Sequence, residues 1–312
     1  MYKMLHRTVI LLLAALVGLA ASPLFAKAKA RADASNPNAV VMTITATGKS
    51  KTQPPELAKS DVSFFQGRER SQIADLRRSD TLYLAVLIDD SLRSSVTQQW
   101  DDLRAFFMAQ PQTTHIAVAY SRNGSAMIAQ DFTTDHALAA KALRMPLGNA
   151  SVASSPYLAI QDWVKHWPVT GERSSIILLS SGVDFVRGGF APVDPDLDPT
   201  IAYAQKQNVN IWSIYVPDVG RSGHGVGGFN WESNLERVSQ ETGGQSYFIG
   251  LGMPVTLKPF FDQIQRNLNN QYLLAFAGNG GQKGKFQTVK VTTELHNVGL
   301  LSASQVFLPP VQ

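Results

Sequence analysis

The chain has 312 residues, 44% of them hydrophobic and 17% charged, which suits one large domain or two modest ones and excludes a disordered polypeptide. It contains no cysteine, so disulfides, thiolate nucleophiles, Cys-ligated zinc and iron–sulfur clusters are excluded together. The 28 Lys and Arg against 24 Asp and Glu give a net charge of +4, a balance that by itself points toward nucleic acid or a membrane surface.

Residues 1–28 read as a cleaved secretory signal. Lys3 and Arg7 precede an uncharged apolar run from Val9 to Ala21, Ser22-Pro23 breaks it, and the small residues up to Ala28 suit a signal peptidase. The run is short for a bilayer span, so no permanent membrane anchor is expected after cleavage, and the missing cysteine excludes a lipoprotein. Cleavage removes Lys3, Arg7 and Lys27 and no carboxylate, so the +4 falls to +1. The case for nucleic acid goes with it, and the expected location is the periplasm or the exterior of the cell.

Residues 29–39 are small and polar, a flexible leader. A small β module is expected over 40–79: Val40, Met42 and Ile44 alternate with polar residues, Pro54-Pro55 punctuates, and 62–65 and 73–76 suggest short strands around a turn at Gly67. The apolar run 82–88 fits a strand covered on both faces. From there strands at 116–120, 127–132, 175–179, 210–216 and 246–248 take turns with helices at 96–108, 135–143, 156–167, 200–207, 232–242 and 257–269. That alternation predicts an α/β domain over 80–270, with a mostly parallel, doubly wound, Rossmann-like sheet. After 271 the pattern returns to β, with strands at 272–276, 286–293 and 302–307, and the tail 271–312 is expected to pair with the N-terminal module in one sheet.

In an open parallel sheet, ligands bind beyond the carboxyl ends of the strands, where the strand order reverses. The first apolar strand ends there in Asp89-Asp90-Ser91-Leu92-Arg93-Ser94-Ser95. This stretch resembles the von Willebrand factor A (VWA) domain, whose metal-ion-dependent adhesion site opens with Asp-x-Ser-x-Ser. The whole chain is similar to the bacterial secreted VWFA-related family, through Leu57, Asp61-Val62-Ser63-Phe64 and Gly67 of the β module, the strand 176–184 and the segments 204–214, 235–248 and 264–274. The resemblance covers roughly residues 40–310 and implies a VWA-type fold with an accessory β module formed by both termini. It also implies protein binding through a divalent ion such as Mg²⁺.

Carried over one position at a time, the resemblance implies Asp89 and Ser91 as the first two ligands and Ser154 or Ser155 in place of a loop threonine. Two positions depart from the motif: Arg93 stands where a serine is expected, and Ser181 where the second acid is expected. A guanidinium about 5 Å from a divalent ion is repelled by roughly 2 kcal/mol in bulk water and about 7 kcal/mol at an effective dielectric of 20. Two readings of Arg93 follow: it occupies the cation position against Asp89 or Asp90, or it points into solvent.

Other constellations carry less. The glycine-rich stretch 220–228 lacks the terminal Gly-Lys-Ser/Thr of a phosphate loop, and no two histidines have zinc-helix spacing. No Gly-x-Ser-x-Gly elbow surrounds Ser180 or Ser181. Trp163, Trp167, Phe106 and Phe107 are expected in the core, whereas Asp90, Arg93, Asp184, Phe229 and Trp231 are candidates for a partner-binding rim. The sequence thus points to an exported, non-catalytic protein-binding or scaffolding module with an impaired metal site and no assured cofactor. The competing readings are an extracytoplasmic hydrolase using Asp89 and Asp90, and a purely structural envelope protein.

Overall fold

A computed structural model describes residues 39–49, 52–148, 154–187, 194–217, 226–248 and 255–310. The expected signal and nearly all of the leader lie outside that set. Four strands come first: β1 (Ala39–Gly48), β2 (Val62–Gln66), β3 (Glu69–Ser71) and β4 (Ile73–Arg77). Gly67 turns β2 into β3 at φ 62°, a backbone sign that a side chain resists. Strands and helices then alternate as β5 (Leu82–Asp89), α1 (Trp100–Met108), β6 (Thr114–Arg122), β7 (Ser125–Thr133), α2 (His136–Lys141) and α3 (Pro156–Lys165). They continue as β8 (Arg173–Ser180), α4 (Leu197–Lys206), β9 (Val209–Tyr215), α5 (Val226–Glu241), β10 (Ser246–Phe248) and α6 (Lys258–Asn269). The last strands are β11 (Gln271–Ala277), β12 (Lys285–Thr293), β13 (Val298–Ser302) and β14 (Gln305–Leu308).

The central sheet has the order β10-β9-β8-β5-β6-β7. All its neighbours are parallel except β7, which folds back antiparallel on β6 through Asn123 and Gly124. The connections leave the β5/β8 pair in opposite directions, so the switch point lies at the carboxyl ends of those two strands. Alternation along β5 sorts its side chains between two cores. Leu84, Val86 and Ile88 pack with α1 and α6 through Leu103, Phe107, Phe261 and Ile264. Ala85 and Leu87 face the other layer, where Tyr157, Ile160, Ile201 and Leu235 come from α3, α4 and α5. Phe106, Phe107, Trp163 and Trp167 are buried, as their spacing indicates.

The terminal segments pair, but in two facing sheets rather than the single one expected. Their orders are β13-β1-β11-β4 and β14-β12-β2-β3, and each mixes strands from both ends of the chain. Met42, Ile44, Phe64, Leu274 and Phe276 fill the space between them, with the Phe64 and Phe276 rings 4.5 Å apart. The reason lies at Ala303-Ser304. The expected strand over 302–307 breaks there, because Ala303 bridges to Thr242 and the Ser304 N–H donates to the Glu241 carbonyl at 3.0 Å. That detour carries the chain from one sheet to the other.

Two helices differ from expectation. The segment expected as one helix over 96–108 begins as a 3₁₀ turn, Ser94–Gln99, before α1. Helix α5 starts at Val226, six residues ahead of expectation, and absorbs Gly227 and Gly228, whose low helix propensity argues against it in the sequence. The rest of the glycine-rich stretch, 220–225, lies outside the described residues. Among the described residues, no helix is long and apolar enough to cross a membrane.

Candidate functional site

Strand register assembles the centre. Asp89 pairs with Ser121 across β5 and β6, and Ile88 pairs with Leu179, which sets Ser180 one step beyond at the end of β8. Asp89, Ser121 and Ser180 therefore finish three adjacent strands on the same sheet face, the one covered by α3. Ser154 and Ser155 enter from the start of α3, where the Ser155 hydroxyl caps the helix by accepting from the Leu158 N–H at 3.2 Å.

Asp89 is fully buried. Its Oδ1 accepts from the Ser91 N–H at 3.0 Å, the Ser91 hydroxyl at 2.7 Å and the Ser154 hydroxyl at 2.7 Å. Its Oδ2 accepts from the Ser180 hydroxyl at 2.7 Å, and Ser180 Oγ in turn accepts from the Gly182 N–H at 2.9 Å. A carboxylate can only accept, so three hydroxyls are committed as donors to it. Burial pushes its pKa up against the pull of those hydrogen bonds. Ser121 Oγ adds an outer layer, 2.9 Å from both Ser154 Oγ and the Ser155 carbonyl. Gly182, at φ 72°, lets the turn after β8 pass under α5; a Cβ there would sit 2.8 Å from the Trp231 carbonyl.

Asp90 points to the opposite face, and it too is fully buried. The guanidinium of Arg144 grips it with both nitrogens, Nη1 to Oδ1 at 2.7 Å and Nη2 to Oδ2 at 2.8 Å, and the Leu147 N–H adds a third donor at 3.1 Å. Arg144 also stacks over Tyr120, 3.7 Å from the ring centroid, and Tyr120 returns its hydroxyl to the Arg144 carbonyl at 2.8 Å. The cation that neutralises Asp90 is thus Arg144, beyond α2, while Arg93 is exposed. Arg93 as the partner of Asp90 is corrected accordingly: the bidentate fork comes from a residue more than fifty positions downstream, which nothing in the local sequence marks.

The rim assignments change as well. Asp90 and Asp184 are buried and do not present their carboxylates at the surface. Asp184 accepts from the Ser155 hydroxyl and from the Arg187 N–H at 2.9 Å, so Ser155 serves Asp184 rather than Asp89. Asp184 meets Asp194 and Asp196 in a cluster whose carboxylate oxygens lie within 4.8 Å of one another. Arg187 pairs with Asp196, Nε to Oδ2 at 2.7 Å. Burial and then the neighbouring carboxylates raise the Asp194 pKa to about 6. Trp231 is half-buried in α5, and the side chain of Phe229 lies outside the described residues. Of the four candidate metal ligands, Asp89, Ser91 and Ser154 are together and Ser155 is not. Ser121, Ser180 and Arg144 escaped the sequence reading. The two serines were findable by counting register from Asp89, whereas Arg144 had no signal.

No family model and no curated protein matches the chain. Among solved structures it is similar to an aerotolerance-related membrane protein from Bacteroides fragilis NCTC 9343, at 11% identity over 60% of this chain and 98% of that one, with a TM-score of 0.42. It is also similar to the SpRpn10 VWA domain, at 13% identity over 60% of this chain and 95% of that one, with a TM-score of 0.36. Such distant likeness carries nothing about activity. The strand order and the antiparallel edge strand β7 are those of a VWA-like α/β fold joined to a terminal β-sandwich.

Proposed function

We propose that this protein is an exported, non-catalytic binding module that engages a protein partner at the carboxyl end of its central sheet, without a divalent ion. The observation that carries the reading is the contrast between a closed polar centre and an open apolar surround. Asp89 and Asp90 are fully buried, satisfied internally and turned to opposite faces, so they do not form a carboxylate pair for acid–base work on one substrate. At the same end of the sheet, Met145 is 58%, Leu147 50% and Val186 41% exposed. Exposed apolar side chains around a polar centre suit a protein interface.

The impaired metal site rests on charge. A hard divalent ion takes oxygen ligands that usually include more than one carboxylate or a substrate phosphate. Among the described residues, Asp89 is the only carboxylate in contact with Ser91, Ser154 and Ser180, Asp90 is held by Arg144, and Ser181 offers a hydroxyl where an acid is needed. That donor set does not fit the ion.

The test combines crosslinking in the native envelope with a Met145→Glu/Leu147→Glu variant. A specific partner is captured by the wild type and lost by the variant, with both equally folded. Equal capture by the two overturns the interface, and turnover in an esterase, phosphatase or protease screen overturns the non-catalytic reading. Calorimetric titration with Mg²⁺ shows no saturable heat for the wild type; tight binding refutes the impaired site.

A further inference from the structure

A cavity of about 420 Å³ opens at the amino-terminal side of the central sheet, between the β-sandwich and the α/β layers. Its wall includes Thr47 and Gly48 of β1, Leu301 of β13 and the C-terminal halves of α5 and α6. Along α6 the lining residues are Gln263, Arg266, Asn267 and Asn270, spaced i, i+3, i+4 and i+7. That spacing marks one helix face, the polar side of an amphipathic helix whose opposite side packs Phe261, Ile264 and Leu268 into the core. On it Asn267 and Asn270 are buried, and Gln263 and Arg266 are half-buried at the cavity.

Several of these groups are committed to the fold. Asn267 donates to the Tyr247 hydroxyl at 3.0 Å, Asn270 donates to the Arg266 carbonyl at 2.8 Å, and Gln53 donates to Asn270 at 2.7 Å. The side chains of Gln263 and Arg266 have no hydrogen-bond partner among the described residues. Arg144, Arg187 and Arg237 each pair with a carboxylate; among the described residues Arg266 does not, and none of those lining the cavity is acidic. A lone guanidinium among amide side chains, at the edge of a cavity free of acids, is a receptor for one negative charge.

The surroundings narrow the anion. Both bordering helices present their carboxyl ends, whose partial negative charge opposes any anion and a dianion most, and whose carbonyls accept from hydrogen-bond donors. A phosphate monoester is therefore a poorer occupant than a single carboxylate whose charge Arg266 offsets and whose following N–H groups can donate to those carbonyls. Among the described residues no aromatic face lines the cavity, which argues against an acidic sugar. Its volume suits on the order of three small residues.

We propose that this cavity binds the carboxyl terminus of a peptide, with Arg266 holding the terminal carboxylate and Gln263 pairing with a backbone amide. The site is separate from the proposed interface, at the opposite end of the central sheet. The experiment titrates the full chain with an equimolar library of N-acetyl tripeptides bearing a free carboxylate, with the same library as C-terminal amides, and with glucuronate and inorganic phosphate. The acids bind at least tenfold more tightly than the amides, in line with the loss of a charged hydrogen bond. Arg266→Gln abolishes that preference, while Gln263→Leu weakens acid and amide alike, and both variants melt with the wild type. Equal binding of acids and amides, a preference retained by Arg266→Gln, glucuronate or phosphate binding as tightly as the peptides, or no saturable binding by the library each overturns the proposal.

Discussion

Replacing Arg144 with methionine isolates the largest electrostatic commitment at the switch point. Methionine keeps much of the aliphatic stem against Tyr120 but deletes the fork that holds Asp90 at 2.7 and 2.8 Å. The Asp90 side chain is fully buried while that of Arg144 is 40% exposed. Removing one partner of a buried pair costs about 3–5 kcal/mol, because a desolvated carboxylate is left uncompensated. Exposure of the guanidinium lets water share its role, which places the loss near the lower figure, about 3 kcal/mol. For a domain of this size that lowers Tm by roughly 6–12 °C. Urea unfolding followed by circular dichroism measures the loss, and the Asp90→Asn/Arg144→Met double variant checks its origin. Once Asp90 is neutral, losing Arg144 matters less, so the double variant recovers at least half of the deficit, a coupling visible in a double-mutant cycle. A loss under about 1 kcal/mol, or strictly additive single variants, refutes the buried-pair account.

Two further outcomes follow from the acids on the other face. Asp194, with its pKa raised to about 6 by burial and its carboxylate neighbours, binds its proton more tightly folded than unfolded. Its contribution is present below the ordinary value of 3.8 and is lost as pH rises through about 6. Asp194→Asn therefore stabilises the protein at pH 7 by up to about 3 kcal/mol before solvent screening, and by about 1–2 kcal/mol after it, with little gain at pH 4. Melting temperatures across pH 4–8 that run parallel for the two proteins contradict this. Ser180→Ala removes a donor from Asp89 and the acceptor of the Gly182 N–H, at a cost of about 1–3 kcal/mol. Because the Asp89 pKa is already raised, the cost is greater at pH 7 than at pH 4; denaturant titrations at the two pH values measure the difference.

The α/β alternation was legible because burial on both faces of a parallel strand leaves an unbroken apolar run, as in 82–88 and 175–179. Asp89 and Ser91 were legible because they follow such a run within a few residues. Less was legible at the tail, where Ala303 and Ser304 look like the middle of one strand. Their break is imposed by Glu241 and Thr242, which lie sixty residues earlier in the chain. Helix α5 begins six residues earlier than expected, at Val226, and runs through two glycines of low helix propensity.

The sequence alone determined that Asp89 ends an apolar strand with Ser91 just beyond it, since the end of an apolar run is a local property. It also determined that position 181 carries a serine and not an acid, since that is a matter of composition at one position. Only the tertiary structure decided what neutralises Asp90, because a guanidinium finds its carboxylate through space and a residue 54 positions away leaves no local mark. The same holds for the cavity beside Arg266, whose polar helix face reads as ordinary solvated surface until two separate layers close around it.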